Sequence, residues 1–238
     1  MDVISIVSSI DAELRSHAVP LRADKDKAYL KSALDHYGTS MPAIRSVGRH
    51  FRAGHPALDH DDLVAVVRAL WDEPVHERRA TAGVLLDLYG DRLGIADMAL
   101  LETLLRQSKT WALVDMLAVS VVGPLVERHP PAAEVLDRWA VDDDFWIRRS
   151  ALLALLLALR RGDGDFERFG RYADAALENK EFFIRKAIGW VLRDTARRRP
   201  DLVFDWLLPR ASRASGVTVR EAVKPLTEDQ RHAILAAR

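Results

Sequence analysis

Hydrophobic positions recur along the chain with the period of an amphipathic helix, and the polar breaks between them are short. Apolar side chains three and four residues apart share one face of a helix, whereas a half-buried strand alternates with a period of two. No stretch shows the alternating β-branched pattern of a strand. The breaks are GTSMP at 38–42, AGHPALDHDD at 53–62, ERHPP at 127–131, RRGDGD at 160–165 and RRRPD at 197–201. The pattern predicts an all-α fold.

One phrase recurs within the predicted helices. Its copies are AIRSVGR (43–49), HERRATA (76–82), WIRRSAL (146–152), FIRKAIG (183–189) and TVREAVK (218–224). The first aligned arginines of these copies are Arg45, Arg78, Arg148, Arg185 and Arg220. Their separations are 33, 70, 37 and 35 residues, and 70 is twice 35. One copy is therefore missing, and it should fall near residue 113.

A helical unit of 33–37 residues cannot bury its own apolar face and must stack on its neighbours. We therefore predict one domain over residues 1–238, an α-α superhelix (solenoid) of about six HEAT-like repeats with a concave groove. The recurring arginines are expected to form a structural ladder between repeats.

The missing copy lies in SKTWALVDMLA, at 108–118. Here the arginine is absent, and Trp111 and Asp115 lie four residues apart, which places them one turn apart on the same helix face. One interpretation is an amphipathic boundary, with a half-buried tryptophan beside a solvated carboxylate. The other is a functional site in the repeat that departs from the pattern.

Composition and charge restrict the function. Of the 238 residues, 49% are hydrophobic and 29% are charged, which supports a substantial core beneath a polar surface. The chain has no cysteine, so disulfides and thiolate metal sites are excluded, and this fits a cytoplasmic location. The N-terminal stretch lacks the basic region of a signal peptide, and the longest apolar run, 151–159, is too short to span a bilayer.

The net charge is zero, but its distribution is uneven. Residues 145–238 hold 19 Lys and Arg against 12 Asp and Glu, a balance of +7, which leaves −7 for the rest. Such asymmetry either indicates a polyanionic partner or reflects solvated helix faces. His50, His55 and His60 follow five-residue steps that do not share a helix face, and no H-E-x-x-H motif is present, so we expect no metal.

Several stretches resemble the AlkD-like family of HEAT-repeat alkylpurine DNA glycosylases. The most specific are SKTWALVDMLA, DDFWIRRSALLALL and NKEFFIRKAIGWVLRD, and the segments at 27–45 and 69–93 resemble the N-terminal repeats of that family. The resemblance runs from about residue 20 to about residue 225. It implies a monomeric enzyme without a cofactor that binds double-stranded DNA in its groove. The reaction it implies is hydrolysis of the N-glycosidic bond of N3- and N7-alkylpurines, such as 3-methyladenine and 7-methylguanine, in base excision repair.

In that family two tryptophans and an aspartate surround the damaged nucleoside. The resemblance assigns Trp111 and Asp115 to the first tryptophan and the aspartate, and Trp190 to the second tryptophan. Its other matches are candidate DNA contacts, namely Tyr29, Ser40, Arg149, Lys186 and Arg193. The chain departs from the family pattern at Thr110, Ser40, Leu155 and Leu157, which bears on DNA contacts and lesion range.

The implied chemistry requires few groups. A purine alkylated at N3 or N7 is already cationic, so it leaves as a neutral base without a general acid, and one carboxylate can stabilise the oxocarbenium-like sugar. Two other functions remain open. One is a non-catalytic HEAT-repeat protein that binds damaged or unusual DNA, and the other is a protein-interaction scaffold.

Overall fold

The computed structural model describes residues 2–238 and is all-α, as the sequence predicts. The α-helices are α1 (Val3–Ser16), α2 (Pro20–Leu30), α3 (Met41–Gly54), α4 (His60–Asp72), α5 (His76–Leu88), α6 (Met98–Ser108), α7 (Trp111–Leu117), α8 (Gly123–Arg128), α9 (Ala133–Trp139), α10 (Phe145–Ala154), α11 (Leu156–Arg161), α12 (Phe166–Ala175), α13 (Phe182–Ala196), α14 (Pro200–Leu207), α15 (Gly216–Ala222) and α16 (Glu228–Ala236). Within residues 2–238, the extended pairing is limited to an isolated bridge between Asp35 and Val75.

Helix α3 illustrates how the sequence specifies these elements. Ser40 is in extended conformation before the helix, and its hydroxyl accepts a hydrogen bond from the backbone N–H of Ala43 at 3.3 Å. This satisfies one of the amide groups that a helix N-terminus leaves unpaired. Ile44, Val47 and Phe51 follow at spacings of three and four residues and are buried. The apolar period thus sets which face of the helix enters the core.

The helices form two compact units, the first ending at Leu117 and the second comprising Ala118–Arg238. In the first unit α3 packs against α5, and α4 packs against both α1 and α5. In the second unit α13 packs against α10, α11 and α15. The helices that carry the recurring phrase therefore pack against one another, as stacked HEAT-like repeats require. The single domain over residues 1–238 stays a prediction.

The expected ladder of arginines between repeats is displaced by one position. Arg148 and Arg185 each donate to a backbone carbonyl six residues earlier, at Asp142 and Asn179, and so hold the loop of their own repeat. The links to the next repeat come from the residue that follows. Arg149 donates to the carbonyl of Phe183, and Lys186 Nζ lies 2.6 Å from Glu221. Successive helical residues point about 100° apart, so a shift of one position changes the partner.

In the first unit, one copy of the recurring phrase, HERRATA at 76–82, shows the same division of contacts between adjacent arginines. Arg79 donates to the carbonyls of Trp71 at 3.1 Å and of Gln107 at 3.0 Å, and so joins its own repeat to the following one. Arg78, the aligned arginine, donates to the carbonyl of Ala69 at 3.0 Å. No helix within residues 2–238 is long and apolar enough to cross a bilayer.

Candidate functional site

Helix α7 presents the Trp111 and Asp115 pair. Its other face, with Leu113, Val114 and Leu117, is buried in the first unit, whereas Trp111 and Asp115 are half-buried. A π-helical turn over 118–122 follows α7 directly. Such turns are rare and occur often at functional sites. The helix therefore buries its apolar side and leaves the tryptophan and the carboxylate partly accessible.

Tyr29 of α2 lies against Trp111. Their ring centroids are 5.8 Å apart with the planes at 88°, an edge-to-face contact. Tyr29 is 73% exposed, and α2 has no buried side chain. The structure thus brings three of the predicted site residues together in the first unit, two on α7 and one on α2.

The loop between α2 and α3 is held by a buried carboxylate that sequence reasoning missed. Glu77 is 1% exposed and accepts hydrogen bonds from the backbone N–H groups of Tyr37, Gly38 and Thr39, at 3.0, 2.8 and 3.2 Å. Gly38 has φ +80°, and a Cβ there would lie 2.1 Å from the carbonyl oxygen of Val19. The chain entering α3 is therefore fixed to the start of α5 and cannot accept a larger residue at this turn.

Trp190 lies on α13 in the second unit, where it is half-buried. Its indole Nε1 donates to Asp194 Oδ2 at 3.2 Å, one turn further along the helix. Asp194 is 3% exposed and also accepts from Arg160, at 2.8 Å from Nε and 2.6 Å from Nη2, and from Arg193 Nε at 3.2 Å. This buried carboxylate fixes the indole through its N–H. Asp194 is the last residue of the NKEFFIRKAIGWVLRD stretch, but the resemblance assigns it no role, so its contact with Trp190 was not predicted.

A second buried carboxylate, Glu221 of α15, binds two cations of α13 and one that follows α15. It accepts from Lys186 at 2.6 Å, from Arg193, and from Lys224 at 3.0 Å. The hydrogen bond from Lys186 is the main cause that lowers the pKa of Glu221 to about 2, against its partial burial. Close approach of the two helices is possible because Gly189 faces Glu221, where a Cβ would lie 2.9 Å from the Glu221 Cβ.

Four predicted DNA contacts thus form hydrogen bonds or ion pairs within the protein. Lys186 and Arg193 are paired with Glu221, although Lys186 is still partly accessible. Arg149 is 3% exposed, donates to the carbonyl of Phe183 and lies over the Phe183 ring, 5.8 Å from its centroid. Contact between Arg149 and a DNA phosphate would require this side chain to leave its position. Ser40 caps α3. Their roles in DNA binding stay predictions.

Within residues 2–238, no group of three or more His, Asp and Glu side chains is arranged to hold a metal ion. His60, for example, is paired with two nearby carboxylates. Its Nε2 lies 2.8 Å from Asp97 and its Nδ1 lies 2.9 Å from Asp61, and these contacts raise the pKa of the imidazole. The pair links α4 to the turn before α6.

Comparison with solved structures identifies similar folds. A predicted DNA alkylation repair enzyme from Enterococcus faecalis superposes with a TM-score of 0.80 at 22% identity, covering 89% of this chain and 98% of that one. AlkD2 from Streptococcus mutans gives 0.67 at 14% identity, covering 94% and 99%. The smu.31 protein of Streptococcus mutans UA159 gives 0.59 at 16% identity, covering 78% and 98%. At these identities the likeness concerns the fold.

Comparison by sequence is more specific. No protein with a curated description matches the chain. The profile of the DNA alkylation repair enzyme family matches residues 10–226. This range is most of the sequence and includes Trp111, Asp115 and Trp190. This protein therefore belongs to the DNA alkylation repair enzyme family.

Proposed function

We propose that the protein is a monofunctional DNA glycosylase that hydrolyses the N-glycosidic bond of cationic N3- and N7-alkylpurines in duplex DNA. The observation that carries the proposal is the arrangement on α7. The ring centroids of Trp111 and Tyr29 lie 5.8 Å apart in an edge-to-face arrangement, and Asp115 follows one turn later on the same partly accessible face. An aromatic face beside a carboxylate suits a cationic nucleoside whose sugar gains positive charge as the bond breaks.

Each group has a defined part in this chemistry. Trp111 offers its π face to the alkylated purine, an attraction of roughly 0.5–2 kcal/mol that is lost when the base is neutral. Asp115 stabilises the oxocarbenium-like deoxyribose and orients the attacking water. The purine departs as a neutral base because it carries its positive charge from the start, so no general acid is needed. A Schiff base is not needed either, and we expect no lyase activity.

Trp190 is proposed as the second aromatic group that faces the nucleoside. Its indole orientation is fixed by Asp194, so its π face is held without a loss of side-chain entropy on binding. Duplex DNA is the proposed partner, and the uneven charge of the chain supports it, because residues 145–238 carry the excess of +7. We also propose that the protein is a monomer and that it acts in the cytoplasm.

The test is release of free base from oligonucleotides that carry one defined lesion, measured under single-turnover conditions. We expect wild-type protein to release 7-methylguanine and 3-methyladenine but not uracil, which would have to leave as an anion. Asp115→Asn should fold and bind DNA yet release base about 100-fold more slowly or worse, because it removes only the charge that the sugar cation needs. Asp72→Asn, an exposed carboxylate in the same unit, is the matched control.

Two results would contradict this function. Release of 7-methylguanine by Asp115→Asn at the wild-type rate would remove the carboxylate from the mechanism. Efficient release of uracil would require a proton donor and would refute the single-carboxylate chemistry.

A protein that binds damaged DNA without cutting it is the second candidate. The observation that favours it is the edge-to-face pair of Tyr29 and Trp111, because aromatic rings can stack on a damaged base without cutting its glycosidic bond. Tight binding of methylated duplex with no release of base would support this alternative. Absence of both binding and release would support a scaffold for other proteins.

A further inference from the structure

A cationic pocket lies beyond the C-terminal end of α13. Its volume is about 400 Å³, and it is lined by Arg193, Arg197, Lys224 and Pro225. Three of these four residues carry a positive charge, and no carboxylate lines the pocket. A helix C-terminus favours a nearby cation, which explains the sign of the charge at Arg197. Lys224, which follows α15, lines the same cavity although it belongs to a different part of the chain.

Two of the three cations are held in place from behind. Glu221, 9% exposed, accepts from Arg193 and from Lys224 at 3.0 Å, and Asp194 accepts from Arg193 Nε at 3.2 Å. Arg193 is therefore fixed through Nε and Nη1, while its Nη2 makes no hydrogen bond to residues 2–238. The side-chain entropy of ordering these groups is already lost in the free protein, which favours binding of a ligand at the pocket.

The local charge remains positive after this pairing. The two buried carboxylates are matched by four cations, since Glu221 also holds Lys186 and Asp194 also holds Arg160. Arg197 adds a fifth and forms no ion pair with any residue in 2–238. This network in and beside the cavity therefore holds five positive charges against two negative ones, a surplus of three, and no carboxylate lines the cavity itself.

We infer that this pocket binds a phosphate group, held by the guanidinium groups of Arg193 and Arg197 and by the ammonium group of Lys224. Guanidinium forks bind phosphate oxygens in pairs, and an ammonium group adds a compact charge. The source of the phosphate is the backbone of duplex DNA, an assignment that rests on the proposed function. Asp194 supports it, because it binds both Arg193 of the pocket and Trp190 of the proposed lesion site, each at 3.2 Å.

Arg197 and Arg198 provide a matched pair of variants. Both are exposed, both follow α13, and only Arg197 lines the pocket. Binding of an unmodified duplex is measured by fluorescence anisotropy from 50 to 300 mM KCl for wild type, Arg197→Gln, Arg198→Gln and Lys224→Gln. We expect Arg197→Gln and Lys224→Gln to weaken binding about tenfold and to reduce the salt slope by about one. Arg198→Gln should change the affinity less than twofold.

Inorganic phosphate distinguishes the two sources of the ligand. If the pocket takes a backbone phosphodiester, phosphate should displace DNA no better than sulfate at equal ionic strength. Saturable binding of inorganic phosphate that is lost in Arg197→Gln, with DNA affinity unchanged, would overturn the assignment to DNA. Equal effects of Arg197→Gln and Arg198→Gln would overturn the pocket itself.

The same series separates this inference from the proposed function. Wild-type protein that neither binds duplex nor releases alkylpurine would overturn the proposed function and, with it, the backbone phosphate. Wild-type protein that releases base, together with an Arg197→Gln variant that binds DNA as wild type does, would overturn the pocket alone. Thermal unfolding of each variant serves as the control for folding. We expect no change at the exposed Arg197 and Arg198, and a small decrease for Lys224→Gln, which removes one of the three cations bound to Glu221.

Discussion

His36 and His76 form a stacked pair, from which we expect the first unit to lose stability in acid. The rings of His36 and His76 are 4.7 Å apart with planes 8° from parallel, and His76 is 9% exposed at the start of α5. Both nitrogens of His36 and Nδ1 of His76 are buried without a hydrogen-bond partner among residues 2–238. Burial, followed by the proximity of His36, lowers the pKa of His76 to about 4, and burial lowers that of His36.

The acidic groups near the pair do not offset this burial. Asp26 raises the pKa of both imidazoles, and Glu77 and Asp35 raise that of His36, whereas Lys27 lowers it. The net direction for each histidine is still downward, so the folded state favours the neutral rings. Protonation would place two positive charges face to face in a poorly solvated position.

The size of the effect follows from the pKa of His76. The unfolded chain binds this proton near pH 6.5 and the folded chain near pH 4, so the stability is fully present above pH 6.5 and is lost as the pH falls toward 4. One pKa unit corresponds to about 1.4 kcal/mol, so His76 alone should cost about 2 kcal/mol at pH 5 and about 3 kcal/mol at pH 4.

The assay is urea unfolding followed by circular dichroism between pH 8 and pH 4. Many carboxylates also titrate in this range, so the quantity of interest is the difference between wild type and His76→Phe, which keeps a ring against His36. We expect that difference to grow by about 2 kcal/mol between pH 7.5 and pH 5. His17→Gln, at an exposed position in the same unit, is the control. Parallel curves for wild type and His76→Phe would refute the reasoning.

Two further predictions concern buried charged groups. Glu77→Leu leaves three backbone N–H groups without their acceptor and should destabilise the first unit by about 3 kcal/mol, whereas the exposed Glu73→Leu should change it by less than about 0.5 kcal/mol; equal unfolding midpoints for the two variants would contradict the role of Glu77. Arg149→Met removes the hydrogen bond to the carbonyl of Phe183 and should lower stability by about 2 kcal/mol, measured by urea unfolding. Loss of DNA affinity in Arg149→Met with an unchanged midpoint would show that the guanidinium serves DNA rather than the fold.

The repeats could be predicted from the sequence because apolar residues recur with the period of the repeat. In four copies the residue before the aligned arginine is Ile or Val, and each of these side chains is buried at 0–1% exposure, at Ile44, Ile147, Ile184 and Val219. The stacking of repeats needs these positions, so the sequence must keep them. The pattern does not indicate which of two adjacent cations contacts the next repeat, because that depends on the rotation of each helix in its final packing.

Glu77 was predictable from the same alignment. It occupies the position where the other four copies carry an apolar residue, and it is buried as they are. A carboxylate at a core position must be compensated, and here three amide groups of a distant loop compensate it. Asp194 differs, because no internal comparison marks it, and its importance depends on Arg160, which comes from a separate helix.

The charge of the C-terminal part shows why composition alone is a weak guide to a DNA-binding surface. The excess of +7 counts every arginine alike, yet many are used within the second unit. Arg168 is bound to Asp137, and Arg210 and Arg213 are bound to Asp174. A cation that already has a buried or bidentate partner loses that partner if it moves to a phosphate, so its contribution to binding is reduced. A cation contributes more to phosphate binding if it forms no ion pair, or if it is paired but keeps one nitrogen without a hydrogen bond. Within residues 2–238, Arg197 meets the first condition and Arg193 the second, and both line the same pocket.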